Sequence, residues 1–402
     1  MDTENLLQLA QTYEADMVRF LQTLVRLPSV NGRDSEKAVA EAIAAEAKKL
    51  GFPAELIAKD HNRPNAVAHW GNGPAKFPII GHSDTVAEGD HSHWQYPPFG
   101  GEIADGRMFG RGTADNKAGI VIGLYLLAMA RDHQLLDPEK VELIVAGVVD
   151  EESGATSKLG VRHLLETGRL AGAKGSIYAY ASDIVCVGHR GSLRLKLTAR
   201  GEATHTGLAA WSQGKKGVNA VTGLSAVLLA LEKLDIPAPS HPAFDHLGCT
   251  ITPGTLMQGG AFVSMVPDLA TAAVDIRLMP GQDKDEVLAI VQSVIDQITA
   301  QRPGLAVSTE ITNSFPGAAI PIDHPLAKIA QTEARKFTDG DWPIIGAGAG
   351  NEGYMLIREG IPTLCGFGPT GGNAHAPDEW VDVASLSTTL ATFAGIAKDY
   401  LR

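Results

Sequence analysis

Apolar residues recur at helical spacing through the opening segment, at Leu6, Leu9, Tyr13, Met17, Phe20, Leu21 and Leu24, which predicts one amphipathic helix up to about Leu24. Residues 35–50 repeat the pattern and stop at Gly51, where helices commonly end. Residues 65–69 and 77–80 predict strands, the second leading into Gly81-His82-Ser83-Asp84-Thr85. The largely apolar residues 118–131 predict a helix after a glycine-rich loop. Residues 141–149 (VELIVAGVV) are nearly all apolar, the pattern of a strand covered on both faces. Strands alternating with helices imply an α/β domain with a mixed, mostly parallel sheet flanked by helices.

The pattern changes near residue 190. Residues 192–200 (SLRLKLTAR) alternate, with Leu193, Leu195 and Leu197 on one face and Arg194, Lys196 and Thr198 on the other, as in a strand with one wet face. A helix at 218–234, a strand at 270–278 and a helix at 284–300 follow. Residues 189–310 are therefore expected to form an inserted α+β domain of ferredoxin-like type. Residues 325–337 then predict a helix and 363–367 a strand, so the chain returns to a first domain made of residues 1–188 and 311–402. No internal repeat or low-complexity tract interrupts this order.

Composition narrows the function. A chain of 402 residues with 44% hydrophobic and 20% charged positions is ordinary globular material, long enough for two domains. A formal net charge of -12 argues against nucleic-acid or anionic-membrane partners. No apolar run reaches the roughly 18 residues of a membrane span. The opening residues are acidic and lack a basic stretch followed by an apolar one, so a secretory signal is not expected. Cys186, Cys249 and Cys365 lie far apart without CxxC spacing. A disulfide framework or cysteine zinc site is thus not expected, and a cytoplasmic location is.

Three polar clusters stand at the C-terminal ends of predicted buried strands, where open α/β sheets place their sites. In the first, His82 could bind a metal while Asp84, two residues on, accepts its other ring N–H; a surface or core hydrogen bond is the plain alternative. In the second, Gly110 to Lys117 (GRGTADNK), a tight turn could bring Asp115 inward, or Asp115 could cap the next helix. In the third, Asp150, Glu151 and Glu152 repel one another unless cations or protons intervene, although most such runs are simply solvated. Neighbouring glutamates can also divide metal binding and proton transfer. His375 lies in a late glycine-rich loop, residues 368–379.

Together GHSDT, GRGTADNK, DEESG and NAHAPDEW, in that order, resemble the zinc-dependent peptidase family M20. That family includes acetylornithine deacetylase, succinyl-diaminopimelate desuccinylase, glutamate carboxypeptidase and dipeptidases. The resemblance spans essentially the whole chain, including the insert and its closing DIRLMPG. It implies two Zn2+ ions (or Co2+ or Mn2+) per subunit, with His82 on one, Glu152 and His375 on the other, and Asp115 bridging them. Asp84 then orients His82, and Glu151 is the general base toward metal-activated water. His205, in Gly201 to Gly207 (GEATHTG), is the implied donor to the developing oxyanion.

Three departures from the family pattern stand out. The Glu-Pro or Asp-Pro pair that supplies the last ligand of the first zinc is missing from residues 176–183, where Tyr180 or Ala181 falls in its place. Asp183 is the available carboxylate and is the expected ligand; without it a one-zinc centre results. Asn351 stands in an altered substrate loop, and Ser264 stands where the family has Asn. Arg277 of DIRLMPG is either a clamp for a substrate carboxylate or a structural ion-pair partner.

The implied activity is hydrolysis of an amide bond in an N-acyl amino acid or short peptide with a free carboxylate, by a homodimer joined through the insert. The alternative of another class is a catalytically degenerate small-molecule binding protein. A serine or cysteine hydrolase is not expected, because no GxSxG elbow occurs.

Overall fold

The computed structural model describes residues 3–402. They form two compact units, one comprising the chain up to His189, Ala319–Ala347 and Asn351–Arg402, the other Arg190–Ala318 with Gly348–Gly350.

The first unit is built on a six-stranded sheet in the order Ala54–Ile57, Asn65–Gly71, Val141–Val148, Ala75–His82, Ser176–Tyr178, Thr363–Leu364. The last four strands run parallel, and Asn65–Gly71 runs against them. Every residue of Val141–Val148 is buried, which is why that stretch carries no alternation. Helix Ala118–Asp132 is buried from Ala118 through Ala130, so its apolar surface wraps all sides. Close packing is required at Gly119, where a Cβ would lie 2.3 Å from the carbonyl oxygen of Ala179. Because the neighbouring strands are parallel, His82, the turn after Val148 and the residues after Tyr178 all leave the sheet at one edge.

The opening helix is not continuous. It divides into Thr3–Gln11 and Glu14–Val25, because Thr12 N–H bonds Leu9 O and Tyr13 N–H bonds Ala10 O, tightening the chain to i→i−3 spacing.

The second unit has a four-stranded antiparallel sheet in the order Thr250–Gly259, Leu269–Leu278, Gly191–Arg200, Ala306–Phe315. Helices Ala220–Leu231 and Lys284–Ala300 share its core, where Leu193, Leu195 and Leu197 join Leu224, Val227, Val291 and Ile295. Burying each such side chain contributes about 1.5–3 kcal/mol. Gly191–Arg200 is hydrogen-bonded on both sides and cannot pair with a second copy; the free edges belong to Thr250–Gly259 and Ala306–Phe315. The expected boundary at residue 310 falls inside that last strand, and the unit runs on to Ala318.

Candidate metal centre

His82 ends its strand fully buried. Its Nδ1 lies 2.9 Å from the backbone carbonyl oxygen of Asp84 but 3.7 Å from the Asp84 carboxylate. The ring is therefore oriented by Asp84 through its carbonyl, not through the carboxylate that the sequence pointed to. That carboxylate is occupied elsewhere, accepting from Asn31 Nδ2 at 2.7 Å and from the backbone N–H groups of Glu151 (3.3 Å) and Glu152 (3.0 Å). Asp84 thus fixes the turn that carries the two glutamates.

With Nδ1 donating to a carbonyl, the other ring nitrogen of His82 points at Asp115 Oδ1, 2.7 Å away. The second oxygen of Asp115 faces His375 Nε2 at 3.2 Å, and that nitrogen is also 3.2 Å from Glu152 Oε1. Donors on one zinc ion with bonds of 2.0–2.1 Å would stand about 3.3 Å apart in a tetrahedron. One donor atom each from His82, Asp115 and Glu152 all lie within 4.8 Å of one another. Imidazole and carboxylate are the donors that zinc-type ions take, so the residues present fit such an ion.

Electrostatics say the same. Burial disfavours protonation of His82, but its bond to Asp115 and the charges of Asp115, Glu151 and Asp84 outweigh that and raise its pKa well above the usual value. His375 is pushed up to about 10 by its bonds to Asp115 and Glu152. Burial would raise Asp115, yet the bonds to His375 and His82 hold it well below the ordinary carboxylate range. The cluster demands positive charge, as protons or as a metal cation.

The three successive acids after the buried strand separate. Asp150, with φ 65°, turns the chain and binds Arg63 Nη1 (2.8 Å), Asn31 Nδ2 (3.1 Å) and Ser157 Oγ (2.9 Å). Glu152 goes to His375. Glu151 is buried, and desolvation together with the charges of Glu152, Asp115 and Glu352 raises its carboxyl well above the usual range, against the pull of His82.

Asp183 is not brought to this cluster. The chain swings outward after Ala181, Ser182 N–H bonding Pro369 O at 3.0 Å, and Asp183 ends up exposed. The side chain beside His82 is Tyr180, with ring centroids 5.6 Å apart.

Asn351 is also reassigned. It is buried, with Nδ2 donating to Cys365 O at 2.6 Å and Oδ1 accepting from Gly353 N–H at 2.9 Å, so its carboxamide clamps a loop instead of facing a substrate.

Three candidates lie in the second unit. Arg277 donates to Asp275 Oδ2 at 2.8 Å, beside the pair of Arg194 with Asp275, which is the structural of its two readings. His205 and Ser264 come together, Thr206 N–H bonding Ser264 O at 3.0 Å, on a surface cavity of about 350 Å³ that Phe262 and Met265 also line. His205 is exposed and its Nδ1 accepts from Gly207 N–H at 3.0 Å, which leaves its ring proton on Nε2.

The family model described as Peptidase family M20/M25/M40 matches residues 79–399. The chain belongs to this family. As a member it is a metal-dependent amidohydrolase. It is 28% identical to the succinyl-diaminopimelate desuccinylase of Cereibacter sphaeroides over 398 residues, 96% of this chain and 99% of the relative. Among solved structures it resembles an M20 family metallo-carboxypeptidase from Sulfolobus solfataricus (TM-score 0.76, 17% identity, 96% of this chain and 99% of that one). It also resembles the Bacillus subtilis YXEP protein, a dinuclear metal binding peptidase of the family (TM-score 0.71, 15% identity, 97% and 99%).

This M20-family member leans on residues that sequence reasoning passed over. Glu379, four positions after His375, is fully buried. Its Oε1 accepts from the backbone N–H groups of Gly112 (3.1 Å), Ala114 (2.9 Å) and Asp115 (3.0 Å), and its Oε2 pairs with Arg111 Nη1 at 2.6 Å. One carboxylate thereby ties the His375 loop to the Asp115 loop. Gly112 makes this turn possible with φ 88°, where a Cβ would also meet Thr85 Cγ2 at 3.0 Å. Lys117 is buried beneath, donating to the carbonyls of Leu24 (2.9 Å) and Leu27 (3.1 Å) at the end of helix Glu14–Val25, and burial lowers its pKa to about 7.

Glu352 is the other missed acid of this M20 unit. It is fully buried, accepts from Val161 N–H at 3.3 Å, and leaves Oε1 without a hydrogen-bond partner among the described residues. Burial chiefly, with Asp84 and Asp150 adding, raises its pKa to about 8 from 4.5. The folded state then binds more protons than the unfolded state between those values, so stability is lost as pH rises from about 4.5 to 8. Glu352→Gln should unfold in urea like the parent near pH 4.5. At pH 9 it should be more stable, by on the order of 2–4 kcal/mol. Equal midpoints at pH 9 would show that the charged carboxylate is solvated.

Proposed function

We propose that this enzyme hydrolyses the amide bond of an N-acyl amino acid or short peptide carrying a free carboxylate. The observation that carries this reading is the carboxylate of Asp115, whose two oxygens face two different histidines, His82 and His375. A divalent ion held there, zinc in our reading, supplies Lewis-acid activation of water and of the scissile carbonyl. Glu151 takes the proton from the attacking water and returns it to the departing amine; its buried, elevated carboxyl suits both directions of transfer. His205, in the second unit and with its proton on Nε2, is the donor that the resemblance to the family proposes for the developing oxyanion. The desuccinylase relative and the carnosine dipeptidase among the structural neighbours support small acylated or peptidic substrates.

The enzyme is proposed to work as a homodimer through its second unit, where edge strand Thr250–Gly259 exposes Leu256 (73%) and the adjoining loop exposes Val263 (97%). All three cysteines are free, as suits a reducing cytoplasm, and no helix among the described residues is long and apolar enough to cross a membrane.

The test is a panel of N-acyl amino acids and dipeptides assayed with zinc, cobalt and manganese. Turnover of at least one class, abolished by a chelator and restored by metal, is expected. Metal-loaded protein that binds these compounds and cleaves none would instead support the binding-protein reading.

A further inference from the structure

The two sides of Asp115 are unequally furnished. On the Oδ2 side, His375 Nε2 is 3.2 Å from Asp115 and 3.2 Å from Glu152, so an imidazole and two carboxylates converge. On the Oδ1 side stands His82, and the side chain against its ring is the phenol of Tyr180. The backbone there has no freedom to present another residue. A Cβ on Gly119 would lie 2.3 Å from Ala179 O, and one on Gly368 would lie 2.5 Å from Tyr180 O, so the strand end is gripped from both faces. Asp183 is exposed.

A phenol offers a single oxygen that already bears a proton, whereas a carboxylate offers two acceptor oxygens and a full negative charge. Catalytic zinc sites use three protein ligands. The His375 side offers that number. The His82 side offers one imidazole and a share of Asp115. Glu152 also has a donor atom within 4.8 Å of both, but that residue is already 3.2 Å from His375 Nε2, so the His82 side has no anionic donor of its own.

We infer that the centre is asymmetric: it holds one divalent cation firmly at Asp115, Glu152 and His375 and a second only in ready exchange at His82, with Tyr180 setting the difference. This rests on the proposed metal centre and adds its stoichiometry and the residue responsible. Loss of a partner outside the coordination shell already costs about 10–100-fold in metal affinity. A missing ligand should separate the two affinities by at least about a hundredfold.

Metal-free protein is titrated with Zn2+ against a chromophoric chelator, and zinc per chain is counted after dialysis. The parent and Tyr180→Phe should each retain one zinc, and Tyr180→Glu two. His82→Ala should still retain one, and Glu152→Gln none. Two zinc ions of comparable affinity in the parent would overturn the inference, since another group such as Glu151 must then complete the His82 side. A single zinc in folded Tyr180→Glu would overturn the assignment to Tyr180. If Tyr180→Glu does not fold, loss of all firmly held zinc from His82→Ala would overturn the asymmetry by itself. No zinc bound by the parent at any concentration would defeat the metal-centre reading beneath it, a result distinct from all of these.

Discussion

Glu151→Gln should keep its fold and its bound metal while losing hydrolysis by about 10²–10⁴-fold, the usual weight of a positioned acid–base group. The substitution preserves the size of a buried side chain and removes only its ability to accept a proton. Nothing else that Glu151 supplies is changed, because its backbone N–H still reaches Asp84 Oδ1 at 3.3 Å and the turn stays in place. The measurement is kcat/KM on the best substrate of the panel, with metal content determined on the same sample. A rate within tenfold of the parent at unchanged metal content would remove Glu151 from proton transfer.

Glu379→Ala should destabilise the enzyme by about 3–5 kcal/mol, the cost of breaking a buried ion pair from one side. Arg111 is only 2% exposed and would remain as an uncompensated cation. The N–H groups of Gly112, Ala114 and Asp115 would lose their common acceptor, and burying an unpaired donor is itself unfavourable by about 1–3 kcal/mol. Metal affinity should fall as well, since the same carboxylate holds two ligand-bearing loops together. Urea unfolding with and without zinc reads both effects. A loss below about 1 kcal/mol would mean that water replaces the carboxylate.

Much of this was legible in the sequence, for identifiable reasons. Val141–Val148 and Ala118–Asp132 announced themselves because burial on all sides removes polar residues altogether. His82, Asp115, Glu152 and His375, which the structure gathers, stand in short motifs whose order betrays the family. Other features were hidden by physics that a linear reading does not display. Strand Thr250–Gly259 contains Pro253 and Gly254, its register shifts between Pro253 and Met257, and most of its residues are exposed, so it shows neither alternation nor apolar run. Asp183 has the charge a ligand needs, but the chain after Tyr180 leaves it exposed to solvent. Glu379 sits beside the conspicuous His375 in the loop NAHAPDEW, and its importance depends on backbone N–H groups 264 and more residues away, which no spacing rule exposes.

That last separation has a consequence for biosynthesis. Glu379 is synthesised 264 residues after Asp115, and His375 likewise follows long after His82 and Arg111. On the ribosome, the early segment must wait with an unneutralised guanidinium and an unfinished proposed metal centre until the NAHAPDEW loop emerges. Closure of the proposed metal centre is therefore a late event, following the emergence of His375 and Glu379.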